Sequence, residues 1–331
     1  MLIFLLASVL IISYFFIFRD NFVAELVISF LPYIIWFCAF VFILEVCLII
    51  RQSKRNIKYK ILNIILTIMT TILTIWIWTL YSLEFFWFYN QNDESIRLTN
   101  ESWIKVFYAN IYYKNNNYTH LRQKIEQEDP DIVILVEFSD NHEKEMKELF
   151  REKYPYMNRN SRSTMLAGDV VFSKIPLINI TETHIANPWD RNYSYMKLLC
   201  DECKDWVDLY VIHTAAPVSP ENYNMRNNQL WRLLSTFIQY HTNWTPTMII
   251  WDFNLSPWSY YYRQLNKHRN MLNALSFQPI NYTRNLYQRW IFYSHIDQLF
   301  ISPEIRVSKI NIENLTWSDH RSFIFNFWLK Q

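Results

Sequence analysis

Three long apolar runs occupy the first 90 residues, at 2–18, at 27–50 and from 61 to about 89. At a helical rise of about 1.5 Å per residue, about 17 residues already cover most of a ~30 Å hydrocarbon core. The pattern predicts a membrane anchor over 1–90 made of three transmembrane helices. It also explains why the whole chain is 51% hydrophobic and 18% aromatic, more than a water-soluble domain usually carries. A cleaved signal peptide is the alternative for the first run. That run lacks a basic leading region and is followed by Arg19 and Asp20 rather than by small residues, which favours an uncleaved anchor. Glu45 is the one acid inside the second run, and it can reach an interface or a neighbouring helix. Trp76, Trp78, Tyr81, Phe85, Phe86, Trp87 and Tyr89 close the third run, where an interfacial aromatic belt is expected.

Charge placement orients the anchor. The loop RQSKRNIKYK holds Arg51, Lys54, Arg55, Lys58 and Lys60 with no acid, so it is expected on the cytoplasmic side. The third run then leads outward, and everything after it is expected outside the cytoplasm, periplasmic or extracellular. Six of the 32 basic residues and four of the 30 acidic residues precede residue 91, leaving 26 of each beyond it. A formal net charge of zero lacks the basic excess of many nucleic-acid binders, which weakens a duplex-DNA substrate, although a local basic groove is compatible with it. Cys200 and Cys203 form a lone C-x-x-C, a weak zinc signal to which no role is assigned. Gly168 is the single glycine, so Asn, Asp and Ser must supply the turns, and Asn tolerates left-handed backbone.

Residues 100–331 read differently. Short apolar runs alternate with amphipathic stretches and no repeat or low-complexity linker intervenes, which describes one α/β domain. Candidate strands are IKVFYAN, DIVILVE, GDVVFS, VDLYVIH, TMIIWDFN, IDQLFIS and SFIFNFWL. Helices are expected over 118–128, 141–153 and 221–241. Four of the apolar strands end in a polar group able to do chemistry: Asn110, Glu137, His213, and Asp252 with Asn254. Asp297 opens one strand, and Asp319 with His320 precedes the last. Any one of these alone reads as an ordinary water-facing strand end. Brought to one rim they would supply carboxylates and amides suited to Mg²⁺ or Mn²⁺, and imidazoles suited to proton transfer and phosphate contact.

The ordered set Asn110, DPDIVILVE to Glu137, GDVVFSKIPL from Gly168, VIHTAAP at His213, WDFN at Asp252 and Asn254, HIDQLFIS at Asp297 and SDHRSF at Asp319 and His320 resembles the endonuclease/exonuclease/phosphatase superfamily, the deoxyribonuclease-I-like fold. The likeness runs over about 103–329. With RNNQ at 226–229 and the apolar leader, it is similar to a membrane-tethered bacterial subgroup. The resemblance implies a four-layer α/β sandwich, two mixed sheets face to face with helices outside. It further implies a divalent metal, Mg²⁺ or Mn²⁺, near Glu137 with Asn110 and Asp319 lining its site. Asp252 and Asn254 would position or activate the nucleophile and the scissile phosphate. His213 and His320 would contact phosphate and act as acid or base, with Asp297 orienting His320. Two departures stand out, Trp251 in place of the glycine usual before DFN, and Gln298 after Asp297.

The expected activity is hydrolysis of phosphodiester or phosphomonoester bonds on a substrate that is a lipid headgroup, a nucleic acid or a small molecule, with the lipid bilayer as the tether's partner. Nuclease action on extracytoplasmic nucleic acid is the alternative within that class. A catalytically silent binding or scaffold domain is the alternative outside it, and the retention of every polar position argues against it. A transporter role for the helical part finds little pathway, with Glu45 the one acid inside the second run.

Overall fold

A computed structural model of the chain describes residues 10, 14, 17–18, 20–52, 57–89, 103–160, 168–182, 194–199, 206–240, 245–267, 271–277, 282–285, 293–308 and 310–329. The chain divides into two compact units, Met1–Gln91 with Pro257–Tyr260, and Asn92–Ser256 with Tyr261–Gln331.

In the first unit the helices are α1 (Phe22–Ile28), α2 (Leu31–Gln52) and α3 (Ile57–Tyr89). Three separate spanning helices are not what the described residues show. Most of the run 2–18 lies outside them, as does the centre of the basic loop, 53–56. The run expected from residue 27 is interrupted. Ser29 caps α1, Pro32 sits in the first turn of α2 where its missing N–H costs nothing, and the chain bends by 69° between Phe22–Ile28 and Leu31–Val41. Among the described residues no single helix is long and apolar enough to cross a membrane, although that bent pair passes the length and composition test together. Large apolar side chains stand exposed along these helices, among them Trp36, Phe40, Ile43, Ile65, Ile68, Ile72 and Trp76.

The second unit is built on two mixed sheets. The central strands are β1 (Ile104–Asn110), β2 (Ile132–Phe138), β4 (Gly168–Ser173) and β15 (Arg321–Leu329) in one, and β6 (Ser194–Leu199), β7 (Trp206–His213), β8 (Thr247–Asp252) and β12 (Asp297–Ile301) in the other. Around them lie β3 (Tyr156–Asn160), β13 (Ile305–Val307) and β14 (Asn311–Asn314) in the first sheet, and β5 (Leu177–Glu182) and β9 (Leu272–Asn273) in the second, while β10 (Arg284–Asn285) and β11 (Tyr293–Ser294) form a separate two-stranded ladder. The first sheet has the order β13–β15–β1–β2–β4–β3, with β14 also on β15, and the second the order β5–β6–β7–β8–β12–β9. Each sheet contains one parallel pair, β1 with β2 and β7 with β8, each joined by a helical crossover: α4 (Tyr118–Glu128) and α6 (Pro220–Tyr240).

Alternation along the strands sorts side chains between two cores. Val106, Tyr108, Ile132, Ile134 and Val136 face Val207, Leu209, Val211, Met248 and Ile250 between the sheets. Their neighbours Phe107, Ala109, Val133 and Leu135 point the other way, onto Leu121 and Ile125 of α4 and Met146, Leu149 and Phe150 of α5 (Asp140–Lys153). On α6, Leu230, Leu233 and Leu234 are buried, as the helical spacing requires. The two mixed sheets therefore pack face to face with α4 and α5 outside the first, as the family resemblance implies for those layers.

Helix α5 carries a pH-sensitive start. Ser139 caps it, with the His142 backbone N–H donating to Ser139 Oγ at 3.4 Å and the Ser139 backbone N–H donating to His142 Nδ1 at 3.2 Å. Burial holds the His142 pKa down at about 4, so the ring stays neutral and its nitrogen remains an acceptor. A lowered histidine pKa contributes stability present above the ordinary value near 6.5 and lost as pH falls from there toward about 4. In acid unfolding followed by tryptophan fluorescence, His142→Gln should keep the cap, because Gln is a usual residue at this position. It should also remove on the order of 3 kcal/mol of the wild-type loss between those two values, the pKa displacement converted at about 1.4 kcal/mol per unit. Identical acid profiles would contradict this.

Candidate active site

Strand direction explains how distant residues meet. Parallel strands deliver their carboxyl ends to one rim, so Asn110 of β1 lies beside β2 and Glu137, and His213 of β7 pairs with Asp252 of β8. Antiparallel β12 delivers its first residue to the same rim, placing Asp297 opposite Asp252. For this reason β1, β2, β7 and β8 each give a polar residue from the close of an apolar run, whereas β12 and β15 give one from the start.

Asp252 Oδ2 is the hub. It accepts from Asn110 Nδ2 at 2.9 Å, and the Nε2 atoms of His213 and His320 both stand 3.7 Å from it. His213 Nε2 is also 3.7 Å from Glu137 Oε1, and Asn110 Nδ2 reaches that same oxygen at 3.1 Å. The Asn110 amide thus bridges two carboxylates, while its own oxygen accepts from the Tyr112 backbone N–H at 3.1 Å. Asn254 donates its backbone N–H to Asp252 Oδ1 and its side-chain amide to the Thr214 carbonyl, each at 3.1 Å. Arg226, fully buried, donates to the Asn254 carbonyl at 3.1 Å, and Gln229 accepts from the Ala215 N–H at 2.9 Å, so RNNQ supports the two loops carrying His213 and Asn254.

Asp319 is held differently from the others. Its carboxylate accepts from Arg284 Nε at 2.8 Å, and its carbonyl accepts from the Asn285 N–H at 2.7 Å. It sits next to His320, but its side chain pairs with a cation rather than with another site carboxylate. Beside it, Asn285, Tyr293, Ser318, Asp319, His320 and Arg321 line a cavity of about 310 Å³ together with Asn314 and Leu315.

Backbone strain concentrates here. Among the described residues, five other than glycine adopt left-handed backbone: Tyr112, Asp129, Glu137, Asn254 and Trp317, at φ 59°, 44°, 62°, 48° and 69°. All but Asp129 are site residues or lie within two positions of one. Asn254 and Asp129 are the residue types expected to fill in for absent glycine; Tyr112, Glu137 and Trp317 are not, and each costs on the order of 1–3 kcal/mol. At Glu137 the cause is visible as a register shift between Leu135 and Phe138 in the pairing of β2 with β4. Such a bulge re-aims the side chain, and Glu137 is caught by the Tyr113 N–H at 3.1 Å.

Electrostatics separate the roles of the acids. Burial alone would lower the pKa of His320, but the carboxylates of Asp297 and Asp252 outweigh it and raise that pKa to about 9. His320 Nδ1 lies 2.9 Å from Asp297 Oδ2, and Asp297 Oδ1 accepts from Tyr108 OH at 3.0 Å. Burial and the nearby Asp297 push the Asp252 carboxyl above the ordinary range, opposed by His320 and Arg284.

Ligand atoms of Asp252, Asp297 and His320 fall within 4.8 Å of one another, close enough to hold a metal ion. The hydrogen bonds argue against that use of the three. Both Asp297 oxygens already have partners and His320 is a charged donor, so this trio reads as an acid–base relay. Glu137, Asp252, Asp297 and Asp319 nevertheless crowd the rim, and the cations acting on Asp252 are His320 and Arg284. An oxygen-rich, negatively biased set of this kind fits a hard divalent cation.

A family model for the endonuclease/exonuclease/phosphatase family matches residues 107–320, a span that contains Asn110, Glu137, His213, Asp252, Asn254, Asp297, Asp319 and His320. The chain belongs to the endonuclease/exonuclease/phosphatase family. Solved structures repeat its fold. A family protein from Bacteroides vulgatus is 17% identical, with TM-score 0.57, over 70% of this chain and 100% of that one. D. rerio TDP2 humanized by 14 mutations is 15% identical, with TM-score 0.55, over 69% and 100%. The mannosyl-6-phosphatase Bt3783 of Bacteroides thetaiotaomicron is 14% identical, with TM-score 0.53, over 68% and 100%. A search of curated proteins finds no match.

All eight residues singled out from the sequence therefore lie at this rim, with Asp319 reaching the others through Arg284 and His320. Sequence reasoning missed Tyr108 and Arg284. Tyr108 had a signal, since a tyrosine in a buried apolar strand needs a partner for its hydroxyl. Arg284, in a two-residue strand (Arg284–Asn285) without a motif, had none. Cys200 and Cys203 lie outside the described residues.

Proposed function

We propose that this family member is a divalent-metal-dependent phosphoester hydrolase, tethered to a membrane by its N-terminal unit, with the catalytic domain outside the cytoplasm. The observation that carries the hydrolytic reading is the meeting of two imidazoles and two carboxylates around Asp252 Oδ2, each imidazole nitrogen 3.7 Å away. Scaffold proteins have no use for that charge density or for a strained Glu137.

Hydrolysis forms a bond from water oxygen to phosphorus and breaks the bond from phosphorus to the leaving oxygen. Asp252, with its raised pKa, takes the proton from the attacking water, and Asn254 fixes the Asp252 carboxylate through its backbone N–H. His320, kept protonated by Asp297, donates to a phosphoryl oxygen as charge builds there. His213, the second imidazole beside Asp252, supplies the proton that the leaving oxygen needs. Glu137, with Asn110 and Asp319 nearby by family resemblance, is proposed to hold Mg²⁺ or Mn²⁺. When bound, the cation neutralises phosphoryl charge and acidifies water. The test is chelator-sensitive turnover by the full-length protein across phosphomonoesters, phosphodiesters, phospholipids and single- and double-stranded nucleic acid.

The tether rests on the apolar runs and on the large apolar side chains exposed along α2 and α3, more than a water-facing helical hairpin tolerates. Orientation rests on the basic loop 51–60. A reporter fused after Gln331 should be active only outside the cytoplasm and one inserted at Asn56 only inside. The reverse pattern would overturn the orientation.

A further inference from the structure

Among the described residues, Arg284 is the rim cation whose reach extends beyond its protein partner. Its Nε donates to Asp319 at 2.8 Å, and no described group receives a bond from either of its two terminal nitrogens. The side chain is about a quarter exposed, at 28%, so part of it still faces solvent. Its backbone is fixed from two sides: Arg284 pairs with His320 in an isolated antiparallel bridge, and on the flanks Asn285 N–H donates to the Asp319 carbonyl and Arg321 N–H to the Thr283 carbonyl. A long side chain anchored at its own Nε and at its backbone has lost most of its rotamer freedom before any ligand arrives. What it presents is a pair of terminal NH2 groups beside His320.

Two open N–H donors on a planar guanidinium match two oxygens of a phosphate. Counting oxygens then separates the substrate classes. A phosphodiester has two non-bridging oxygens, and once His320 takes one, the fork finds a single acceptor. A phosphomonoester has three, which leaves two for the fork, and the guanidinium offsets the second negative charge that it brings among the rim carboxylates. The neighbouring cavity of about 310 Å³ is at the small end of ligand pockets, room for a compact leaving group such as a sugar rather than for a helical duplex.

Resting on the hydrolase reading above, we propose that Arg284, locked by Asp319, is the residue that grips the terminal phosphate and makes this site selective for phosphomonoesters of small organic groups. Asp319 then serves as the holder of Arg284, a task distinct from holding a metal.

The test uses the full-length protein with inorganic phosphate as the probe, in titration calorimetry with Mg²⁺ present, alongside turnover of p-nitrophenyl phosphate and bis-p-nitrophenyl phosphate. Arg284→Gln should weaken phosphate binding about tenfold or more, the scale of a lost charge-assisted pair. Arg284→Lys, which keeps the charge and the partner for Asp319, should lose less but still fall below wild type, because an ammonium cannot fork. The ratio of monoesterase to diesterase kcat/KM should fall about tenfold in Arg284→Gln. If wild type binds no phosphate, or Arg284→Gln binds it as tightly as wild type, the proposal is overturned. So is it if both activities fall equally. If wild type binds phosphate through Arg284 but hydrolyses neither ester, the hydrolase reading fails while the phosphate grip stands.

Discussion

Glu137→Gln should reduce turnover by more than about 100-fold and weaken Mg²⁺ binding in parallel, with the fold intact. Loss of a residue that merely supports a metal ligand already costs about 10–100-fold, so loss of the ligand's own charge should exceed that. Gln keeps the length and a carbonyl oxygen for the Tyr113 N–H that holds the left-handed backbone at φ 62°, and gives up the bond that Asn110 Nδ2 donates to the other carboxylate oxygen. The strain itself argues for function. A chain free to choose would place Gly or Asn at such a position, and keeping Glu there costs stability. Metal affinity is read by titration calorimetry and turnover on whichever ester the wild type prefers. Unchanged affinity with lost turnover would make Glu137 a chemical group rather than a ligand, and unchanged turnover would remove it from the site.

The second large effect belongs to the histidines. His213→Gln and His320→Gln should each lower kcat by about two orders of magnitude or more, the usual scale for lost acid–base help. Gln is preferred to Ala because His320 is the partner of buried Asp297, and deleting one member of a buried ion pair is strongly destabilising in its own right. The double variant should lose far less than the product of the two, since both imidazoles converge on Asp252 Oδ2 and act on one transition state. His184 and His268, outside the described residues and matching no motif, serve as controls. Equal damage from the controls, or strictly additive losses, would contradict a shared centre.

The central strands and the rim were legible in the sequence for one reason. Strands buried on both faces must be continuous apolar runs, so the first polar residue at either end marks the rim. IKVFYAN and GDVVFS match their strands from end to end, and DIVILVE, VDLYVIH and TMIIWDFN differ only at their ends. The outer strands were not legible. Strand β3 is polar along most of its length, β14 is mostly exposed, and β5 and β6 alternate too briefly to stand out from loop. Pairing, not propensity, makes them strands. In the N-terminal unit hydropathy alone set the expectation of three long spans. Hydropathy counts apolar residues and is blind to the break at 29–30, where a cap and a proline bend the path by 69°. At the site, residue types were readable but partnerships were not. Nothing in the order of residues says that Asp319 faces Arg284 or that Tyr108 crosses between sheets to Asp297.

The central claim is that this rim hydrolyses phosphate esters with a divalent cation. It is tested most directly by release of p-nitrophenol from p-nitrophenyl phosphate and bis-p-nitrophenyl phosphate by the full-length protein, with Mg²⁺, with excess chelator, and in Asp252→Asn. The expected result is turnover of at least one ester that chelator abolishes and Mg²⁺ or Mn²⁺ restores, absent in Asp252→Asn. Turnover that survives chelation, or that Asp252→Asn retains in full, would contradict it.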